Sequence, residues 1–215
     1  CARNHQKGQQ AVNRLQHAHP NTHFTFHPLD LTDAASIDIG LSAILQIPID
    51  ALVHNAGIAN DPYHMPINSQ GIAQTFFTNA IAPWYITGQC IKHQPHLQRV
   101  VSISSLARAL ASDNIHIACN YTQKQVVEHD NHPHSTYSKA YIDSKWCNVL
   151  FHHGLQRYAQ RTAKSVRSTL CHPGLVFTQM NAACNHQTSL TLIQQKQWSS
   201  IAMKLAGKMQ LCQKD

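Results

Sequence analysis

No apolar stretch in this chain approaches the ~20 residues that a membrane-spanning helix needs, and no basic-then-apolar leader opens it. No membrane span is therefore expected. Charge is scarce as well: only 13% of the residues are Asp, Glu, Lys or Arg, while 43% are hydrophobic. That composition excludes a disordered, self-repelling chain and predicts a globular one with a real core. The balance is nonetheless basic, with a formal charge of +7. Lys and Arg are spread thinly, without a basic run or interleaved aromatics, which argues against a nucleic-acid interface. A modest positive field suits a phosphorylated small molecule instead. The seven cysteines are odd in number and form no CxxC pair. A disulfide framework is thereby excluded, and buried free thiols in a reducing, cytosolic compartment are expected. The eight glycines are scattered, and none forms a GxxxGxG turn. Backbone N–H groups on such a turn could have approached a pyrophosphate.

Histidine is abundant, at 17 residues. The densest group is Glu128, His129, Asp130, His132 and His134, with His152 and His153 further on. It stands in a polar stretch interrupted by Pro133 and lacks the regular ligand pairs of a zinc site, so it reads as a solvated loop and no metal is expected.

Helix-like and strand-like segments alternate along the chain, the pattern of βαβ units and a parallel sheet. Its length suits one α/β domain. Apolar positions Ala11, Val12 and Leu15 predict a helix over Gln6–His17, ending near Pro20. Thr22 to Leu29 alternates like a strand, and Thr32 or Asp33 can cap a helix over Ala34–Leu45. A buried strand over Ile49–His54 stops at Asn55-Ala56-Gly57. A long helix from about Gln70 to Lys92, a strand from Arg99, a second long helix over Ser135–Gln160 and a strand over Ser165–Cys171 follow. The last strand breaks at His172-Pro173-Gly174, and the tail from Ser189 to Leu211 reads as helical. Residues Ala109–His134 lack a sustained period and read as a long loop, of the kind that often covers a site.

Chemistry concentrates in Tyr141-Ile-Asp-Ser-Lys145. A spacing of four puts phenol and ammonium on one helical face. The cation stabilises the phenolate and draws the phenol below its usual pKa of about 10, so that it can exchange a proton with an alcohol or carbonyl. The strand before this helix ends in Ser104-Ser105, placing hydroxyls at the carboxyl edge where open parallel sheets bind ligands. His172-Pro-Gly-Leu-Val-Phe-Thr178 adds a tight turn and another hydroxyl at that edge.

Taken in order, Asp30-Leu31, Asn55-Ala56-Gly57, Asn79, Ser104-Ser105, Tyr141-x-x-x-Lys145 and Pro173-Gly174-x-Val176-x-Thr178 resemble the short-chain dehydrogenase/reductase family over nearly the whole chain. The opening Cys1-Ala-Arg3-Asn4, the run Ser144–Phe151 and His172-Pro-Gly174 are most similar to its retinol-dehydrogenase-like and protochlorophyllide-reductase-like branch. The resemblance implies a doubly wound parallel sheet of Rossmann type and a hydride-transferring enzyme that interconverts an alcohol and a carbonyl on a small, lipophilic substrate. It implies Tyr141 as general acid/base, Lys145 as its pKa-lowering partner on the nicotinamide ribose, and Ser105 rather than Ser104 on the substrate oxygen. Asn79 would anchor a relay water. Asp30 and Leu31 would meet the adenine, Asn55, Ala56 and Gly57 the adenosine, and Pro173, Gly174, Val176 and Thr178 the carboxamide side. Arg3 follows the expected second strand with no acid beside it, which points to NADP over NAD. Family members pair through the two long helices.

This sequence departs from the family pattern in three places. The Gly-rich turn, the first strand and helix, and most of the second strand have no counterpart in it. Residues 1–215 are thus expected to form a single, incomplete domain, a segment of a longer reading frame, short at its carboxyl end too. Tyr141 stands 36 positions after Ser105, a longer gap than the branch shows. A fragment lacking the central first strand should bind cofactor poorly, so the competing expectation is a non-catalytic fragment or pseudoenzyme.

Overall fold

The computed structural model describes residues 1–59, 66–68, 71–110 and 139–174. Helix α1 (His5–Ala18) starts where Asn4, in extended conformation, accepts the Lys7 N–H at 2.8 Å. Helix α2 (Ala34–Ile44) is capped by Asp33, whose carboxylate accepts the Ala35 N–H at 3.0 Å. Thr32, the other candidate cap, instead gives both its N–H and its hydroxyl to Asp30 Oδ1.

The expected strand over Thr22–Leu29 does not form. The backbone there makes one isolated parallel bridge, Ala2 to Pro28, through Ala2 N–H to His27 O and Leu29 N–H to Ala2 O. The bridge uses the groups flanking Pro28, and the facing run turns into α1 at His5, so no ladder is built. The segment is held by side-chain packing instead: a Cβ on Gly8 of α1 would stand 2.2 Å from the Phe26 ring. Gly8→Ala is therefore expected to destabilise the fold by about 1–3 kcal/mol, read as a lowered thermal midpoint; an unchanged midpoint would show that the ring moves aside at no cost.

Three strands, β1 (Ala51–His54), β2 (Arg99–Ile103) and β3 (Arg167–Cys171), form a parallel sheet in that order. The register pairs His54 with Ser102 and Ser102 with Leu170, so all three strands end at one edge. Alternate positions divide the two faces. Val100, Ser102 and Ser168 are buried, whereas Val53 is 58% exposed. The buried face carries the core, where Val100 and Val166 meet Ile37 and Leu41 of α2 and residues of the two long helices.

The first long helix starts at Gln74, four residues later than its periodicity predicts. Gly71 takes a positive φ of 78°, Asn68 Oδ1 accepts the Ile72 N–H, and Ala73 bridges back to Ile67, so the chain is still turning there. It runs in three parts: α3 (Gln74–Phe76), a π segment (Phe77–Ile81) and α4 (Ala82–His93). The widening has a local cause. Pro83 cannot donate to the carbonyl four residues back, at Asn79, and its ring crowds that carbonyl. Ala82 N–H accordingly reaches five residues back to Phe77 O. The second long helix, α5 (Lys139–Thr162), packs along the buried face of the sheet: Lys145 reaches the carboxyl end of β2, and Leu155 and Ala159 lie in the core with Val100 and Val166. No helix among the described residues is long and apolar enough to cross a membrane. The expected 109–134 loop, the 128–134 histidine group and the helical tail fall outside the described residues, except that Ala109 and Leu110 end a 3-10 turn, Leu106–Leu110.

Candidate active site

Where β1 and β2 end, three side chains of the long helices converge. Lys145, buried to 6% exposure, turns its ammonium back to the Ile103 carbonyl at 3.0 Å, the last residue of β2. Tyr141 lies one turn earlier on α5, equally buried, with Lys145 Nζ 5.6 Å from its ring centroid. The ammonium thus sits over the Tyr141 ring and is anchored to the strand tip. Burial, with no carboxylate partner among the described residues, penalises the charged amine, and the Lys145 pKa falls to about 8.

Asn79 owes its position to the π segment. Its amide is spent on protein partners: Oδ1 accepts the Ile58 N–H at 2.8 Å, and Nδ2 donates to Ile58 O at 2.8 Å and to Ser144 Oγ at 3.2 Å. Ser144 in turn donates to the Tyr141 carbonyl. The predicted loop is drawn against this pair, for a Cβ on Gly57 would stand 3.2 Å from Asn79 Oδ1 and 3.5 Å from Lys145 Nζ. A side chain there would have to push the hydrogen-bonded Asn79 amide aside. Ser144 was not foreseen from sequence, although its place between Tyr141 and Lys145, with a hydroxyl able to bond back along the helix, was a usable signal.

The paired serines separate cleanly. Ser104 is buried and its hydroxyl donates to the Lys145 carbonyl, so it ties β2 to α5. Ser105 is half-buried; its Oγ accepts the Ala107 N–H at 3.2 Å, and Ala107 packs in one small apolar cluster with Tyr141 and Ile142. Ser105, unlike Ser104, does not bond to α5 through its hydroxyl in this structure but opens the turn that carries Ala107 to Tyr141. Beyond β3, Gly174 adopts φ 77° and gives its N–H to His172 Nδ1, with Pro173 exposed beside it. Val176 and Thr178 lie outside the described residues.

A second group meets in a cleft of 510 Å³ between the Ala2–Pro28 bridge and β1. Arg3, Asp30, Leu31, Asn55, Ala56 and Gly57, all predicted to hold cofactor, line it. Asp30 enters with Oδ1 already engaged by Thr32, while Arg3 is exposed.

A family model, short chain dehydrogenase, matches residues 1–122, more than half of the sequence. The chain belongs to the short-chain dehydrogenase family. Short-chain dehydrogenase TIC 32 B, chloroplastic, of Brassica napus is 27% identical over 191 residues, covering 84% of this chain and 56% of that protein. The chain thus spans about half the length of the curated relatives it matches. A short-chain dehydrogenase/reductase from Burkholderia phymatum in complex with NAD superposes with a TM-score of 0.62 at 15% identity, covering 95% of this chain and 67% of that one. An NADPH-bound carbonyl reductase from chicken fatty liver superposes at 0.55 and 23% identity, covering 84% and 69%. At such identities the likeness establishes the fold, a Rossmann-type parallel sheet with flanking helices.

Within the family frame, the residues present fit part of a nicotinamide dinucleotide. The cleft wall of Arg3, Asp30, Leu31 and Asn55–Gly57 fits an adenosine, and Lys145 beside Gly57 fits a ribose hydroxyl. No Gly-rich turn in this sequence fits the pyrophosphate.

Proposed function

We propose that the protein is an NADP-dependent oxidoreductase interconverting an alcohol and a carbonyl, with Tyr141 as the acid/base. The observation that carries this reading is the buried Tyr141 ring with Lys145 over it, bonded to Ile103 at the end of β2, the residue before the paired serines. The cofactor, when bound, supplies or takes up hydride at the substrate carbon. Tyr141 gives its phenolic proton to the carbonyl oxygen in reduction and takes it back in oxidation. Lys145 stabilises the phenolate and binds the nicotinamide ribose. Ser105 holds the substrate oxygen by its hydroxyl. Asn79 keeps the Asn55–Gly57 wall against Lys145; with both Nδ2 hydrogens given to Ile58 and Ser144, it holds the water that returns protons to the pair through the second lone pair of Oδ1. Pro173, Gly174, Val176 and Thr178 bound the carboxamide side, and Asp30 and Leu31 the adenine.

The retinol-dehydrogenase-like branch motifs favour a lipophilic substrate, a reading that belongs with a cytosolic enzyme built on one domain over residues 1–215. A groove of 620 Å³ between α4 and α5, where Trp84 stacks on Phe151 and Leu150 and Tyr158 are exposed, supports pairing of two copies through these helices. A screen for NADPH oxidation against aldehydes and ketones tests the activity; no turnover with any of them would overturn it.

Arg3 carries the cofactor preference. Its guanidinium at the cleft mouth suits a 2′-phosphate by bidentate pairing. Arg3→Glu is expected to weaken NADPH binding by at least ~10-fold while leaving NADH binding within about twofold, an effect worth roughly 1.4 kcal/mol. Equal losses for both cofactors, in a titration of binding fluorescence, would remove Arg3 from the choice.

One observation favours the non-catalytic reading. β1 ends the described sheet, and the Ala2–Pro28 bridge stands apart from it across the cleft. Micromolar cofactor binding by the 215-residue protein would exclude that reading.

A further inference from the structure

Lys145 is held at both of its ends by consecutive residues of one strand tip. The Ile103 carbonyl, at the end of β2, accepts its ammonium at 3.0 Å. The next residue, Ser104, gives its hydroxyl proton to the Lys145 main-chain carbonyl at 2.9 Å. Ser104 is 3% exposed, so water does not compete for that bond. It is fixed from the other side as well, because its N–H donates to the Cys171 carbonyl of β3 at 2.8 Å. The backbone of Ser104 thus belongs to the sheet while its side chain holds the helix. A lysine side chain is long and loses much rotamer freedom on being fixed. Two neighbouring groups that grip both its ends remove most of the alternatives.

The two halves of α5 are seated differently. In the far half, Leu155 and Ala159 share the core with Val100 and Val166, and His152 Nδ1 lies 2.9 Å from Ser168 Oγ on β3. In the near half, Ala140 and Cys147 pack on Ala73, Phe76 and Ala80 at the start of the other long helical run. Among the described residues, the hydrogen bonds that tie this near half to the strand tip are the two at Lys145. His152 follows Lys145 by about two helical turns. Loss of the Ser104 bond therefore leaves the far half in place and frees the half that carries Tyr141 and Lys145 to shift against β2.

We propose that Ser104 is a positioning residue of the acid/base pair: its hydroxyl docks the Tyr141–Lys145 segment of α5 against the strand tip, setting its separation from Ser105 and keeping the lysine out of water. The inference rests on the reading of Tyr141 and Lys145 as the acid/base machinery. Lys145 itself reports on the docking. Burial brings its amine down from 10.5 to about 8, and water admitted by a loosened helix would bring it back up. Tyr141 on α5 is the titratable group that faces the ammonium; β2 presents the neutral Ile103 carbonyl, and the 55–57 loop presents Gly57.

Three variants of the full chain test this: Ser104→Ala, Ser104→Thr and Ser168→Ala. The readouts are the titration midpoint of the Lys145 amine, by NMR of its labelled ε-carbon, the urea midpoint, and turnover in the carbonyl screen. Ser104→Ala is expected to raise the amine midpoint by at least about one pH unit and to lower turnover by about 10-fold or more. Thr keeps the hydroxyl and is expected to return both toward the wild type. Ser168→Ala removes a hydroxyl contact of the same kind at the far half of α5 and is expected to lower the urea midpoint alone. Coincident amine midpoints in the wild type and Ser104→Ala would overturn the proposal. Equal amine shifts in Ser104→Ala and Ser168→Ala would overturn it too, because the serine would then act only on helix stability. If Ser104→Ala does not fold, Ser104→Cys, close in shape and a much weaker donor, replaces it in the comparison. An amine shift confined to Ser104→Ala, in a protein whose wild type turns over no aldehyde or ketone, would refute the acid/base reading, and with it the catalytic half of the proposal.

Discussion

Tyr141→Phe is expected to lower turnover by at least ~10² while cofactor affinity stays nearly unchanged. Phe keeps the ring that packs with Ala107 and Ile142 and loses only the hydroxyl, so the fold around α5 is preserved. What disappears is a proton donor at the substrate oxygen. Without it, alkoxide charge develops unneutralised as the hydride arrives, and positioned proton transfer is commonly worth 10²–10⁴ in rate. The checks are steady-state turnover and a separate binding titration. Full activity of the variant would take Tyr141 out of the reaction, and a joint loss of binding and turnover would make its role structural.

Lys145→Met is expected to abolish turnover, by at least ~10², and at the same time to stabilise the protein. The ammonium is 6% exposed, has a backbone carbonyl as partner, and is depressed from 10.5 to about 8 by burial alone. That depression corresponds to roughly 3 kcal/mol of folding stability given up to keep the charge inside. For a lysine with a lowered folded-state pKa, the cost is complete below about pH 8 and disappears as pH rises toward 10.5, where the unfolded chain also loses its proton. Met fills similar volume without charge. The variant should therefore outlast the wild type in urea at pH 7, with the advantage shrinking above pH 8. A variant less stable at pH 7 would mean that the Lys145–Ile103 bond holds β2 to α5 more strongly than burial opposes it. Stability sacrificed at one residue for chemistry is the familiar trade at functional sites.

His54 and Lys145 present the same physics on two sides of Gly57. Each is a basic group in an apolar setting, held by one neutral partner, and each is pushed toward its uncharged form by desolvation. Their responses to pH occupy different windows, about 4 to 6.5 for His54 and about 8 to 10.5 for Lys145, so one pH series resolves both.

Much of this architecture was written in local patterns. Helices over His5–Ala18 and Ala34–Ile44 follow from their caps and apolar spacing, and three of the expected strands, at Ala51–His54, Arg99–Ile103 and Arg167–Cys171, follow from short apolar runs between turn residues. The fourth, over Thr22–Leu29, alternated correctly and still failed, because a strand exists only through a neighbour's ladder and the run facing it turns into α1 at His5. The Tyr141–Lys145 pair needed nothing beyond a spacing of four on a helix.

By itself, then, the sequence determined which residues could carry chemistry and on which elements they stand, since caps, periods and i,i+4 spacings act within a few residues. Only the tertiary structure decided how they are used. It turned Ser104 inward to Lys145 O; it spent the Asn79 amide on Ile58 and Ser144; and it set His54 against Thr87. These hydrogen bonds join residues from 21 to 65 positions apart, set by the parallel register and by the π segment before Pro83. Hydrogen-bond partners in a buried site are chosen by what the packed neighbours leave to be satisfied.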